Sequence, residues 1–197
     1  MNPFSPAFKR LFDICLATTG LVVFSPLVFI LILAIKWEDN GPVFYVQERW
    51  GRGERKFKAY KFRTMVPHAD QKWGLKPAQE NDERVTKVGK FLRATALDEL
   101  PQLFNIWKGE MSFVGPRALA VGELHPSVPS FSERHQARPG LTGPAQIYAP
   151  RDASFEEKFR YDLDYLQNRT FGRDLKLLFL SLGITLRGKW ESREKKI

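Results

Sequence analysis

From Ile14 to Ile35 the chain carries no charged side chain: ICLATTGLVVFSPLVFILILAI. About 20 apolar residues suffice to cross a bilayer as a helix. An ordinary buried core helix has no use for so long an uninterrupted run. Ser25-Pro26 stands near its middle. Proline removes a helical hydrogen bond there and its ring bends the axis, while a serine hydroxyl can serve a carbonyl freed at the bend. Lys9 and Arg10 precede the run, and Lys36 with many further cations follows it. The positive-inside rule therefore draws both flanks toward the cytoplasm. A bent helix that enters one leaflet and returns satisfies both flanks; by length alone a straight spanning anchor remains open beside it. Lys36-Trp37-Glu38-Asp39 follows with no small-residue cleavage pattern, which argues against a removed signal peptide.

Beyond this segment the chain can build a real core. It has 197 residues, 43% hydrophobic, with 16 Phe, enough for one domain or one domain with an appendage. Its 31 Lys+Arg against 22 Asp+Glu leave a formal charge of +9, which favours anionic partners: phosphorylated substrates, anionic lipid or nucleic acid. Cys15 is the only cysteine, so an intrachain disulfide is excluded. His68, His125 and His135 are scattered without zinc-ligand spacing, which leaves oxygen ligation of a hard cation as the open metal chemistry.

The densest chemistry lies at Asp98-Glu99, just before Pro101. Leu97, Leu100, Leu103, Phe104 and Trp107 recur at helical spacing, and Gly109 is a plausible stop. Pro101 lacks an N–H, which suits the first turn of a helix and predicts a start near Leu97 or Asp98. The positive end of the helix dipole favours negative charge on both acids and phosphate nearby. A carboxylate held so, among cations, is equipped to attack phosphorus. The plainer reading is a helix cap followed by a solvated first-turn acid.

Other segments supply cations. Val43–Val46 and Lys56–Arg63 read as strands joined through Gly51-Arg52-Gly53, with Lys61 and Arg63 on one face. They could hold a phosphate or form a solvated basic face. Residues 65–83 are polar and read as a loop. Arg84, Lys87, Lys90 and Arg93 form a basic stripe running into the acidic pair, where Arg93 could compensate the acids or grip a diphosphate. Gly115-Pro116-Arg117 and Arg138-Pro139-Gly140-Leu141-Thr142-Gly143-Pro144 are rigid turns carrying arginine. Phe155–Leu166 reads as an amphipathic helix from which Tyr161-Asp162 could reach a site. Arg173–Arg187 reads as a second apolar helix, suited to the membrane interface or to the core. Residues 191–197 are charged and expected to fray.

Taken in order, these pieces resemble the bacterial sugar transferase family, the monotopic phosphoglycosyl transferases. The resemblance rests on Ser25-Pro26, Tyr60–Met65, Leu97–Asn105, Lys108–Arg117, Arg138–Gln146 and Lys158–Asp162. The run from Leu97 to Arg117 is the most specific. It implies an α+β protein: a re-entrant membrane helix in residues 1–40, bent at Ser25 and Pro26, and a mainly helical cytoplasmic catalytic domain in residues 41–197 with a small β-hairpin and interfacial amphipathic helices. It implies the catalytic core without an added multi-span region, at the cytoplasmic face of the bacterial inner membrane. The implied reaction moves sugar 1-phosphate from a UDP-sugar to polyprenyl phosphate, usually undecaprenyl phosphate, and releases UMP, opening glycoconjugate assembly such as exopolysaccharide biosynthesis. Mg2+ is the implied cofactor. Asp98 and Glu99 map onto the family's catalytic, metal-holding dyad. Lys61, Arg63, Arg93, Arg117, Arg138 and Gln146 match positions placed near the substrate phosphates or uridine. One departure stands out: the family usually reads Gly-Pro-Arg-Pro where this chain has Ala118, which relaxes a restriction on Arg117.

The expected chemistry is covalent, with Asp98 attacking the β-phosphorus and polyprenyl phosphate then attacking the resulting acyl phosphate. Glu99 would hold the metal or take a proton. A basic scaffold protein of a glycan assembly complex, binding anionic lipid, is the rival, and UMP release separates the two. Nucleic acid is not an expected partner, because no recognition motif accompanies the charge. The choice of sugar and of glycan pathway stays open, as does homodimer formation.

Overall fold

The uncharged run folds as two helices, α1 (Pro6–Val23) and α2 (Ser25–Asp39), bent by 58° with Phe24 shared between their ends. Ser25-Pro26 opens α2, so the proline sits in a first turn, where its missing N–H costs no ladder bond. Ser25 Oγ donates to Val22 O at 2.7 Å, serving a carbonyl that the bend withdraws from the ladder. No single helix among the described residues is long and apolar enough to cross a membrane; the bent pair together meets both measures. The first helix begins well before Ile14, under a Ser5 cap.

The structure, a computed structural model, describes residues 5–74, 82–123, 129–150, 152–188 and 190. After α2 come β1 (Phe44–Trp50), β2 (Lys56–Phe62), α3 (Ala69–Trp73), α4 (Lys87–Thr95), α5 (Gln102–Lys108) and β3 (Ser112–Val114). Then follow α6 (Phe131–Arg134), β4 (Gly140–Thr142), α7 (Pro144–Tyr148), α8 (Phe155–Gln167) and α9 (Phe171–Leu186). The fold is mostly helical with a small antiparallel hairpin, as the sequence predicts. In that hairpin Tyr45 faces Lys61 and Arg49 faces Phe57. Residues 119–121 run along the outer edge of β1, through Trp50 N to Leu119 O at 2.9 Å and Val121 N to Glu48 O at 3.0 Å. Part of the expected loop, residues 75–81, lies outside the described residues, as do His125 and the expected fraying at 191–197.

Both ends of the bent pair fasten to the same body. Within α1, Asp13 is 1% exposed, and its Oδ1 accepts from Ser112 Oγ and Phe113 N at 3.1 Å. Lys9 pairs with Asp174, and Arg10 donates to Ile106 O and Trp107 O at 2.6 and 2.7 Å. Ala17 is fully enclosed, with Leu103, Ile106 and Met111 in the same core cluster. At the far end, Asp39 accepts two hydrogen bonds from Arg63, and Glu38 accepts from Lys87 N at 2.7 Å at the start of α4. Leu31 and Ile35 of α2 cluster with Phe62 and Leu92. The first turns of α1 are thus part of the core as well as an approach to the apolar segment.

Two expectations need correction. The helix predicted from Leu97 to Gly109 is divided: Leu97–Glu99 is a 3-10 turn, and α5 starts at Gln102 behind Pro101. Its expected stop holds, with Gly109 at φ 89°. Nor does the basic stripe run unbroken into the acids, because Ala96 is left-handed at φ 55° and turns the chain between them. An alanine there is a strained choice that persists only under surrounding packing.

The two arginine turns, which look independent in the sequence, form one structure. β3 and β4 pair in parallel, and Gly115 and Gly140 lie against each other so closely that a Cβ on Gly140 would stand 2.2 Å from Gly115 N. Backbone cannot yield as a flexible side chain does. Gly140→Ala should therefore destabilise the fold by about 1–3 kcal/mol. The thermal midpoint of the detergent-solubilised protein should fall by roughly 2–4 °C per kcal/mol; an unchanged midpoint would contradict this packing.

Candidate active site

Along the inward face of β2, Phe57 and Ala59 are buried, and Lys61 follows at the end of the same row. Its ammonium reaches the turn ahead of α5, where it pairs with Glu99 and lies 3.8 Å from Asp98 Oδ2. The three side chains keep 17%, 20% and 14% of their surface exposed, so the cluster is recessed yet reachable. Lys61 is therefore no solvated surface cation.

Two arginines complete the surroundings. Arg49, three places along β1 from Val46, points to the same side as Lys61 and is half-buried. It donates to Ala118 O at 2.5 Å and to Gln47 Oε1 at 2.9 Å, while its Nε has no acceptor among the described residues. Arg117 is exposed at the tip of its turn, close enough for its charge to act on both Glu99 and Arg49. Burial works to raise the pKa of Glu99, but Lys61, then Arg117 and Arg49, outweigh it and hold the carboxyl below its ordinary range. Lys158 of α8 also feels Arg117, and burial followed by that repulsion lowers its pKa. Cations thus outnumber acids around the dyad, an arrangement that suits a polyanion.

The remaining expected residues divide. Arg93 lies in the last turn of α4, and its carbonyl accepts from Ala96 N at 3.3 Å, directly before the acidic turn. Gln146 stands on α7, donating to Leu141 O at 3.2 Å beneath the paired turns. Arg63 is committed elsewhere: its donors go to Asp39, Pro42 O and Met65 O at the exit of α2. Arg138 donates to Gly109 O at 2.8 Å, at the opposite end of α5 from the dyad, and lines a cavity of about 70 Å3 with Lys9, Asp13 and Arg52. An open cavity of about 660 Å3 on α8, lined by Glu157, Arg160 and Tyr161, also stands apart from the dyad. Asp162 does not reach a site; it is buried against Arg134. Arg49 escaped the sequence reading, although extending the alternation across the hairpin from Lys61 would have found it.

Among the described residues no three His, Cys, Asp or Glu side chains gather as a metal cage. Two adjacent carboxylates nonetheless fit Mg2+, which keeps several waters and takes further oxygens from substrate phosphates.

The profile described as bacterial sugar transferase matches residues 4–188. The chain is 40% identical over 191 residues to a UDP-glucose:undecaprenyl-phosphate glucose-1-phosphate transferase of Klebsiella pneumoniae, covering 92% of this chain and 41% of that protein. It is 38% identical over 193 residues to a UDP-N-acetylgalactosamine-undecaprenyl-phosphate N-acetylgalactosaminephosphotransferase of Aeromonas hydrophila, covering 95% and 45%. Against the exopolysaccharide production protein ExoY of Rhizobium meliloti the identity is 39% over 198 residues, covering 92% and 87%. The chain thus spans less than half the length of the first two relatives and most of the third.

The electrostatics of Glu99 carry a pH signature. Its lowered native pKa means that ionisation stabilises the fold above the ordinary carboxylate range, and this is lost as pH falls through the native value. Lys61→Met removes the foremost opposing charge, so burial should dominate and lift the Glu99 pKa above that range. The variant should then be destabilised at neutral pH and recover as Glu99 takes up its proton. Carboxyl 13C titration of Glu99 in both proteins reads the shift; an unmoved midpoint would refute the pairing.

Proposed function

The chain belongs to the bacterial sugar transferase family, and from that premise we propose that it transfers a sugar 1-phosphate from a UDP-sugar to a polyprenyl phosphate, releasing UMP. Undecaprenyl phosphate is the acceptor named for the Klebsiella and Aeromonas relatives, and exopolysaccharide is the product named for the Rhizobium one. The observation that carries the reading is the recessed Asp98-Glu99 pair with Lys61 upon it and Arg117 and Arg49 beside it.

Lys61 engages Glu99 more closely than Asp98, which favours Asp98 as nucleophile. Its carboxylate oxygen attacks the β-phosphorus. The bond from that phosphorus to the bridging oxygen breaks, and UMP departs with the electron pair. The sugar phosphate is then held as an aspartyl acyl phosphate. A phosphate oxygen of the polyprenyl acceptor attacks the same phosphorus, forms the lipid diphosphate and restores the carboxylate. Arg117, Arg49 and Lys61 face the charge that builds on the phosphoryl oxygens. Mg2+, held by Asp98 and Glu99 with substrate oxygens, would supply further charge neutralisation when bound.

Membrane placement belongs to the same proposal. The bent helix pair enters the cytoplasmic leaflet of the bacterial inner membrane and returns. Its support is the docking of both flanks, at Asp13 and at Asp39, on one body. One substrate is soluble and the other is held in the leaflet, so anchoring reduces the search for alignment.

The test uses UDP-sugars carrying 32P in the β-phosphate, with glucose, galactose and N-acetylgalactosamine as the first panel, the sugars named in the relatives. The parent protein should take up label and release UMP with at least one of them. Asp98→Asn should show neither, with turnover down by about 10^3-fold or more, as when a nucleophile is lost. Normal turnover by that variant would end the covalent assignment.

A further inference from the structure

Asp162 and Arg134 form an ion pair with side chains only 1% and 2% exposed, and the mechanism above uses neither. Arg134 donates to Asp162 Oδ2 through Nη2 at 2.7 Å and through Nε at 3.3 Å, and its guanidinium lies 4.6 Å from the centre of the Phe159 ring. The same Nη2 donates to the carbonyl of Arg117 at 2.8 Å. The next carbonyl, that of Ala118, accepts from Arg49. Two successive peptide oxygens at the base of the Arg117 side chain are therefore gripped by two guanidinium groups, one buried and one half-buried. Ala118 brings no ring to restrict the residue before it. Pro116 O and Leu119 O on either side are held by Gly140 N and Trp50 N at 2.9 Å, so the two guanidinium grips fix the peptides between them, from which the Arg117 fork projects toward Glu99. A buried ion pair is by itself poor evidence for stability, since apolar residues of similar volume often serve as well. What an apolar pair lacks is a donor aimed at Arg117 O.

We infer that the Arg134–Asp162 pair is a positioning device that fixes the Arg117 peptide and so aims its guanidinium at a diphosphate lying over Asp98-Glu99. The inference rests on the proposed function, in which Arg117 touches the diphosphate. Neither Arg134 nor Asp162 meets substrate; both act through Arg117.

UDP binding to the full chain in detergent, measured by titration calorimetry, tests this without turnover. Arg117→Ala should weaken UDP about tenfold. Arg134→Lys keeps a cation on Asp162 but loses the forked reach, and should weaken UDP to a similar degree with the thermal midpoint nearly unchanged. The double variant should bind no worse than Arg117→Ala alone, because the second residue works only through the first. Should Arg134→Lys fail to fold, Arg134→Met combined with Asp162→Leu replaces the pair by apolar volume, and it should be stable yet equally weak toward UDP. Losses that add in the double variant, or parental UDP affinity in either replacement while Arg117→Ala is weakened, overturn this inference and leave the proposed function standing. Parental affinity in Arg117→Ala itself removes Arg117 from the diphosphate site, and this inference with it.

Discussion

An aspartate enclosed almost completely, Asp13, joins the apolar helix pair to the rest of the chain. Its carboxylate takes a backbone N–H from Phe113 and a hydroxyl from Ser112, one residue before the uncharged run begins. A buried acid needs such donors to offset its lost hydration. Here the donors come from β3, the strand that leads into the Arg117 turn. The other end of the pair is closed by Asp39 on Arg63. These two carboxylates, one before the uncharged run and one after it, make the bent helices a loop with both feet on one body. Straightening the pair would have to release one of these contacts and leave donors in the body, Arg63 at one end or the Phe113 N–H at the other, without their acceptor.

The same logic of enclosed charge organises the candidate site. Glu99 is recessed enough that burial opposes its ionisation, and it stays ionised through neighbours drawn from separate stretches of chain: Lys61 from β2, Arg49 from β1 and Arg117 from the turn after β3. The 119–121 edge contact with β1 brings the last two together. No one element makes the site; the hairpin supplies a floor of cations and the 3-10 turn lowers two acids onto it. In the proposed reaction a phosphate arriving there would meet charge already paired inside the protein, and those pairs can be exchanged rather than created. Exchange of this kind in a recessed place costs less reorganisation than stripping free ions of water.

How far the sequence discloses this depends on the range of each interaction. The break at Ser25-Pro26 is local, since proline and a hydroxyl act on the nearest turn, and it stands where the sequence puts it. The hairpin and the inward row ending in Lys61 follow from alternation over a few residues. The division of the Leu97–Gly109 segment does not, because helical spacing of leucines continues through a 3-10 turn and left-handed Ala96 carries no local signal such as glycine would. The β3–β4 pairing joins positions 112–114 to 140–142, and each strand is too short to show a period. Arg134 and Asp162 belong to the same group. Nothing near either residue says that they meet, and an acid on an amphipathic helix is ordinarily read as surface. Arg63 shows the opposite case, a cation expected near phosphate whose donors go in the structure to Asp39, Pro42 O and Met65 O, partners that strand alternation does not announce.

Depth is the last link between fold and chemistry. The leucines that flank the acids, Leu97 and Leu100, pack against the cluster of Leu31, Ile35, Phe62 and Leu92, so the acidic turn shares an apolar cluster with α2 while touching α4 and β2. On the other side, Gly20 of α1 lies against Leu103 at the start of α5, whereas Arg10 reaches Ile106 and Trp107 toward its end. The dyad end of α5 is thus the end nearer the bend, and the cationic end lies back toward Arg10. In the proposed placement this turns the acids toward the lipid and leaves Arg138, at the far end of α5, toward water. In that placement the apolar residues on either side of the dyad would set its depth, while the cations around it set its charge. In the proposed reaction a soluble donor and a lipid-held acceptor meet at one phosphorus atom, and the acidic pair, set between an apolar cluster and the cations of the hairpin, is placed to receive both.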